Sequence, residues 1–192
     1  MGRLKHVKKI LLFILIFSMK TAWADTEDNN YFIGIKSGYQ WAQDKIYEHK
    51  DPKGSIYGVY TGVHFSPSWG LDFGYTKNDV LKAKSTSTNV KVWMIESALR
   101  YDCYIQNNLS IYGRLGMAYW DVNKSSTFLE NIHASGFSPL SEVGISYQFT
   151  THINLSIGYQ FTHSIGKKNT GEYDSQALML AISYSFTHKR ST

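Results

Sequence analysis

Beyond residue 24 the chain has no apolar run near the ~18–20 residues that a transmembrane helix needs, so any membrane crossing must be made by strands. Cysteine is nearly absent. Cys103 stands alone, which excludes an internal disulfide framework and leaves a small apolar strand residue, with an intermolecular bridge as the alternative. A basic footprint is missing too: five of the 20 lysines and arginines and none of the 15 acids precede residue 25, leaving 15 charges of each sign in the other 168 residues. The pI of about 9.1 therefore describes the N-terminus, and nucleic acid is not an expected partner.

What the N-terminus does contain is a tripartite leader. Arg3, Lys5, Lys8 and Lys9 precede the apolar stretch Ile10 to Met19, and Ala22-Trp23-Ala24 offers a small-x-small cleavage site. Residues 1–24 are expected to be a cleaved signal peptide, and 25–192 one exported domain. No cysteine directly follows the cleavage site, which argues against a lipid anchor.

The exported part is dominated by period-two alternation. Tyr31, Ile33, Ile35, Tyr39 and Trp41 oppose Gly34, Lys36 and Gly38; Leu178, Leu180, Ile182, Tyr184 and Phe186 oppose Met179, Ala181, Ser183 and Ser185. Six further segments alternate likewise: Tyr57 to Phe65, Trp69 to Tyr75, Val92 to Tyr101, Leu109 to Tyr119, Glu142 to Phe149 and Ile153 to Phe161. Short connections at Ser66, Asn107 and Thr151 imply antiparallel hairpins. Long ones are expected at Ala42 to Ser55, Thr76 to Lys91, Trp120 to Pro139 and Thr162 to Ser175.

Eight such segments predict an all-β fold, an eight-stranded antiparallel up-and-down transmembrane β-barrel with long loops outside the cell and both termini in the periplasm. A soluble eight-stranded barrel is the competitor. Residue size separates them: one face carries Trp, Tyr, Phe and Leu and the other Gly, Ala and Ser, and so narrow a barrel has room inside only for the small set. The closing strand, Leu178 to Phe186, should pair with Tyr31 to Trp41 so that no sheet edge meets lipid.

Six charges fall on the inward face. Lys36, Arg100 and Arg114 balance Asp72, Glu96 and Glu142, and an Asp72–Arg100 salt bridge is expected between neighbouring strands. These six are the candidates for an interior ion-pair layer or gate. His64, also inward, is read as a hydrogen-bonded filler, and neither a metal nor a cofactor is expected.

The chain resembles the transmembrane domain of the outer-membrane protein A (OmpA) family. The resemblance rests on Ile111-Tyr112-Gly113-Arg114-Leu115-Gly116, Gly136-Phe137-Ser138-Pro139, Tyr159-Gln160-Phe161, Ser164-Ile165-Gly166, Ser183-Tyr184-Ser185-Phe186, Gly34-x-Lys36-x-Gly38 and Gly70-Leu71-Asp72-Phe73-Gly74-Tyr75, in that family's order and spacing. It implies an outer-membrane location in a Gram-negative cell and contact with outer-membrane lipids and lipopolysaccharide. It also implies insertion by the outer-membrane assembly machinery, which would read the aromatic end at Phe186. Asp72 and Arg100 match one acid and one base of the family's central set; the other two positions fall on Ser146 and Ser156, which removes one charge of each sign. Only Thr187 to Thr192 follow the last strand, so the family's peptidoglycan-binding domain is not carried over.

The expected role is a monomeric structural envelope component with at most minor porin-like conductance. An adhesin or serum-resistance factor contacting host surface molecules or phage is the alternative. Lys77, Lys82, Lys84, Phe128 and Leu129 are the candidate contact residues in loops. A lipid A-modifying enzyme is the remote alternative, through His163, Ser164 and Glu172. Adjacent strand residues point to opposite faces, so His163 and Ser164 are not expected to act on one ester, and no catalytic residue is assigned.

Overall fold

A computed structural model describes residues 30–44, 53–78, 81–82, 88–126, 132–167 and 171–187. Eight long strands form the wall: β1 (Asn30–Asp44), β2 (Lys53–His64), β3 (Trp69–Asn78), β5 (Thr88–Gln106), β6 (Leu109–Ser126), β7 (Ile132–Gln148), β8 (Ile153–Lys167) and β9 (Gly171–Thr187). A two-residue strand, β4 (Leu81–Lys82), pairs with Asn89 and Val90 of β5. All pairings are antiparallel in the order β3-β2-β1-β9-β8-β7-β6-β5, and a β3–β5 pairing closes the ring. β9 meets β1 from Asn30↔Thr187 through Asp44↔Tyr173, so the expected closing pair is present.

The alternation sorts side chains as the sequence predicts. Ile33, Ile35, Leu115, Phe137, Leu180 and Phe186 are exposed on the outer face, and Lys36, Asp72, Glu96, Arg100, Arg114 and Glu142 are buried inside. Two aromatic belts bound the outer apolar band. Trp69 stacks near Tyr101 (4.8 Å between centroids) and Tyr184 near Phe186 (4.9 Å) at the short-turn end. At the other level a ladder runs Tyr75–Trp93–Tyr119–Phe137 across four strands, with centroid separations of 6.2, 5.8 and 5.1 Å. Paired belts of this kind mark the two membrane–water interfaces of a barrel.

The strands outrun the expected boundaries. Much of Trp120 to Pro139 and Thr162 to Ser175, expected as loops, is strand: β6 runs to Ser126, β7 starts at Ile132, β8 runs to Lys167 and β9 starts at Gly171. Beyond the ladder the polarity of the two faces reverses. Ile56, Val92, Trp120, Val122, Ile165 and Tyr173 are buried inside, whereas His133, His163 and Asp174 lie on the outer face and His133 pairs with the buried Asp121. Outside the bilayer the wall meets water, so the apolar residues turn inward and the membrane pattern no longer identifies the strands. Lys77 is accordingly an exposed residue of β3 rather than of a loop, and Lys82 lies in β4. Residues 1–24, Lys84, Phe128 and Leu129 lie outside the described residues.

Candidate functional site

The lumen is built in layers, starting at the short-turn end with an open vestibule of about 680 Å³ that reaches His64, Arg100, Asp102 and Ser110. Arg100 donates from Nε and Nη2 to the two carboxylate oxygens of Asp102, each at 2.8 Å, a bidentate fork. Its guanidinium also lies 4.2 Å from the Tyr112 ring centroid. Ser110 donates to Asp102 at 3.2 Å, and His64 Nε2 stands 3.7 Å from it.

The next layer centres on Arg114. It pairs with Glu142, its direct cross-strand partner, which also accepts a 2.6 Å hydrogen bond from the Tyr112 hydroxyl. Arg114 Nε lies 2.8 Å from Asp72 Oδ2, and Nη2 lies 3.8 Å from Glu96 Oε2. Above it, Lys36 donates to Glu96 at 2.6 Å, Thr76 donates to the same carboxylate at 3.0 Å, and Gln160 approaches at 3.5 Å. Glu96 is fully buried and sits between both bases.

Two expectations are corrected here. Asp72 does not bridge to Arg100: Asp72 meets Arg114, and Arg100 meets Asp102. The register explains the exchange, because Arg100 and Arg114 are cross-strand partners on β5 and β6 and their like charges turn apart. Arg100 turns to the acid two residues along its own strand, and Arg114 to Glu142 and Asp72. Among the described residues the interior also holds four acids against three bases, because Asp102 is buried as well. An Arg-x-Asp spacing places both side chains on one strand face, a signal available at Arg100 and Asp102 had the strand been extended past Tyr101. At the positions that depart from the family's central set, Ser146 and Ser156 sit directly opposite each other.

The far end of the lumen is closed by an apolar collar that includes Ile56, Val92, Met94, Trp120, Leu140 and Ile165. Trp120 is 2% exposed and faces Gly136, where a Cβ would stand 2.6 Å from the indole, so glycine makes the space. The indole N–H donates to Ser138 at 2.8 Å, and the Ser138 hydroxyl donates to the Ser164 carbonyl at 2.7 Å. That carbonyl is free because β8 is irregular between Thr162 and Ile165, with Ser164 at φ 57°. The same irregularity lets the Ser164 hydroxyl pair with Glu172, while His163 Nδ1 lies 2.9 Å from Asp174. Serine and histidine are thus held by different carboxylates. Cys103 is a free, exposed residue of β5.

The family described as "Outer membrane protein beta-barrel domain" matches residues 10–186. The chain belongs to that family. Outer membrane protein A of Escherichia coli O157:H7 is 27% identical over 175 residues, covering 86% of this chain and 50% of that protein. Outer membrane protein A of Yersinia pseudotuberculosis is 26% identical over 199 residues, covering 95% and 56%. The chain thus spans about half the length of these curated relatives. Among solved structures, Neisserial surface protein A has the same fold at a TM-score of 0.69 and 20% identity, covering 81% of this chain and 97% of that one. The attachment invasion locus protein of Yersinia pestis, solved with the heparin analogue sucrose octasulfate, superposes at 0.57 with 17% identity, covering 82% and 99%. This outer-membrane β-barrel is therefore an integral protein of the outer membrane, and the relatives' names describe membrane and surface proteins rather than enzymes.

Proposed function

We propose that this barrel is a structural, non-catalytic component of the outer membrane whose filled lumen carries at most minor conductance. The supporting observation is the stack of the Arg114 ion pairs beneath the Trp120 collar, which occupies the barrel's width with protein side chains. Residues 1–24 act as the export signal, the short turns face the periplasm, and the aromatic end at Phe186 is read by the assembly machinery. The protein works as a monomer, its outer surface solvated by lipid and lipopolysaccharide. Mature protein reconstituted in planar bilayers should show no sustained current; a steady ohmic conductance of porin size would overturn the reading.

A second reading, adhesion, is favoured by the strand walls that rise past the aromatic ladder and present exposed Lys77 and His133 on a polar outer face. The attachment invasion locus protein, with the same fold, was solved with a sulfated heparin analogue. If this chain also takes sulfated glycans, immobilised heparin should retain the folded barrel and Lys77→Glu should reduce retention. Equal flow-through of both proteins sinks the adhesive reading but leaves the structural one.

A further inference from the structure

We propose that the vestibule at the short-turn end is a binding site for a neutral saccharide carrying hydroxyl and acetamido groups. The inference adds a ligand to the structural barrel and holds whether or not that barrel conducts.

The site is made by the strand ends. Asn30 of β1, His64 of β2, Tyr104 of β5, Ser146 and Gln148 of β7 and Asn154 of β8 all line one space of about 680 Å³. That volume lies within the ~300–1,000 Å³ of small-molecule sites. Apart from its histidines, the lining carries one cation and one anion, Arg100 and Asp102. They are committed to each other through the bidentate fork, and Ser110 also donates to the carboxylate. An ionic ligand would give up its hydration here and find no free counter-charge, so the floor favours a neutral, polar one. The floor is also held in place: Arg100 is 5% exposed and lies against the Tyr112 ring. A site preformed in this way loses little entropy on binding.

The walls say what kind of neutral ligand fits. Side-chain amides present donors and an acceptor side by side, and hydroxyl and acetamido groups likewise both donate and accept. Asn30 Oδ1 is buried and makes no hydrogen bond to protein, which points to a donor supplied from outside the chain. Ser146 donates to Asn154 Oδ1 at 2.8 Å, which fixes that amide through its oxygen. Tyr104 supplies the apolar partner. Its hydroxyl donates to the Pro67 carbonyl at 3.1 Å, so the ring is anchored at the rim while the residue stays 54% exposed. A pyranose has C–H groups on its face and hydroxyls around its edge, the complement of an anchored aromatic ring beside amides.

The test uses the full mature barrel in lipid nanodiscs, with N,N′-diacetylchitobiose as the probe and backbone amide chemical shifts as the readout. The amides of Asn30, Tyr104 and Asn154 should move saturably in the millimolar range. Asn30→Leu and Tyr104→Ala, each shown to be folded by heat-dependent gel migration, should weaken binding about tenfold, the scale of one lost contact. Leu115→Ala, on the lipid face, should bind as the wild type does. Inorganic phosphate should produce no saturable shift, because Arg100 is already committed to Asp102. If Asn30→Leu does not fold, Tyr104→Ala at the exposed rim carries the test. Absence of saturable shifts in the wild type, saturable binding of phosphate at the same residues, or undiminished binding by the folded vestibule variants overturns the proposal.

Discussion

Between its two aromatic belts this barrel is turned inside out, with Ile, Leu and Phe toward lipid and Lys36, Asp72, Glu96, Arg114 and Glu142 within. Past the Tyr75–Trp93–Tyr119–Phe137 ladder the same strands are organised like a soluble barrel, with Trp120, Val122 and Ile165 inside and His133, His163 and Asp174 outside. One continuous wall therefore obeys two solvents. The lipid-embedded half hides its charges by pairing them, whereas the water-exposed half is held by ordinary apolar packing. The two halves should respond differently to substitution.

The largest effect is expected in the charged half. Arg114→Met leaves Glu142 and Asp72 without their cation and should cost about 3–5 kcal/mol in urea unfolding from lipid vesicles. A cost below about 1 kcal/mol would show that water screens this layer like a surface, a range typical of exposed pairs.

In the collar, Leu140→Ala removes packing with little chance of collapse and should cost about 2–4 kcal/mol in the same assay. Leu115→Ala, on a lipid-facing side chain that is 70% exposed, should cost less. Equal costs at the two leucines would erase the distinction between a packed collar and a lipid-facing band.

The smallest net effect sharpens the contrast. Replacing Lys36 and Glu96 together by methionine removes a pair whose attraction offsets its own desolvation, so the double variant should stay within about 1 kcal/mol of wild type. Each single replacement should be clearly destabilising, and a double-mutant cycle measures the coupling. A double variant as unstable as the singles would mean that Glu96 matters chiefly through Arg114 and Thr76, its other neighbours.

Much of this was legible in the chain. The β1–β9 closure, the inward set of six charges and the three short turns follow from period-two alternation and from turn residues such as Ser66-Pro67-Ser68, because strand geometry is local. The extended walls were not legible from a rule that put large residues out and small ones in. At Trp120, Val122, Ile165 and Tyr173 the large residues are inside, and that rule fails where lipid gives way to water. Asp102 escapes the sequence reading because that reading ends the strand at Tyr101, whereas β5 runs on to Gln106.

The sequence alone determined which side chains share a face, because alternation needs no knowledge of neighbours. Only the tertiary structure decided who pairs with whom inside. Register sets Arg100 beside Arg114, and the repulsion between them sends one to Asp102 and the other to Asp72 and Glu142. Pairing of β7 with β6 on one side and β8 on the other then brings Trp120 of β6 and Ser164 of β8 to the same hydroxyl, that of Ser138 on β7. Such partners are distant in sequence, and the register of neighbouring hydrogen-bonded strands holds them at contact distance.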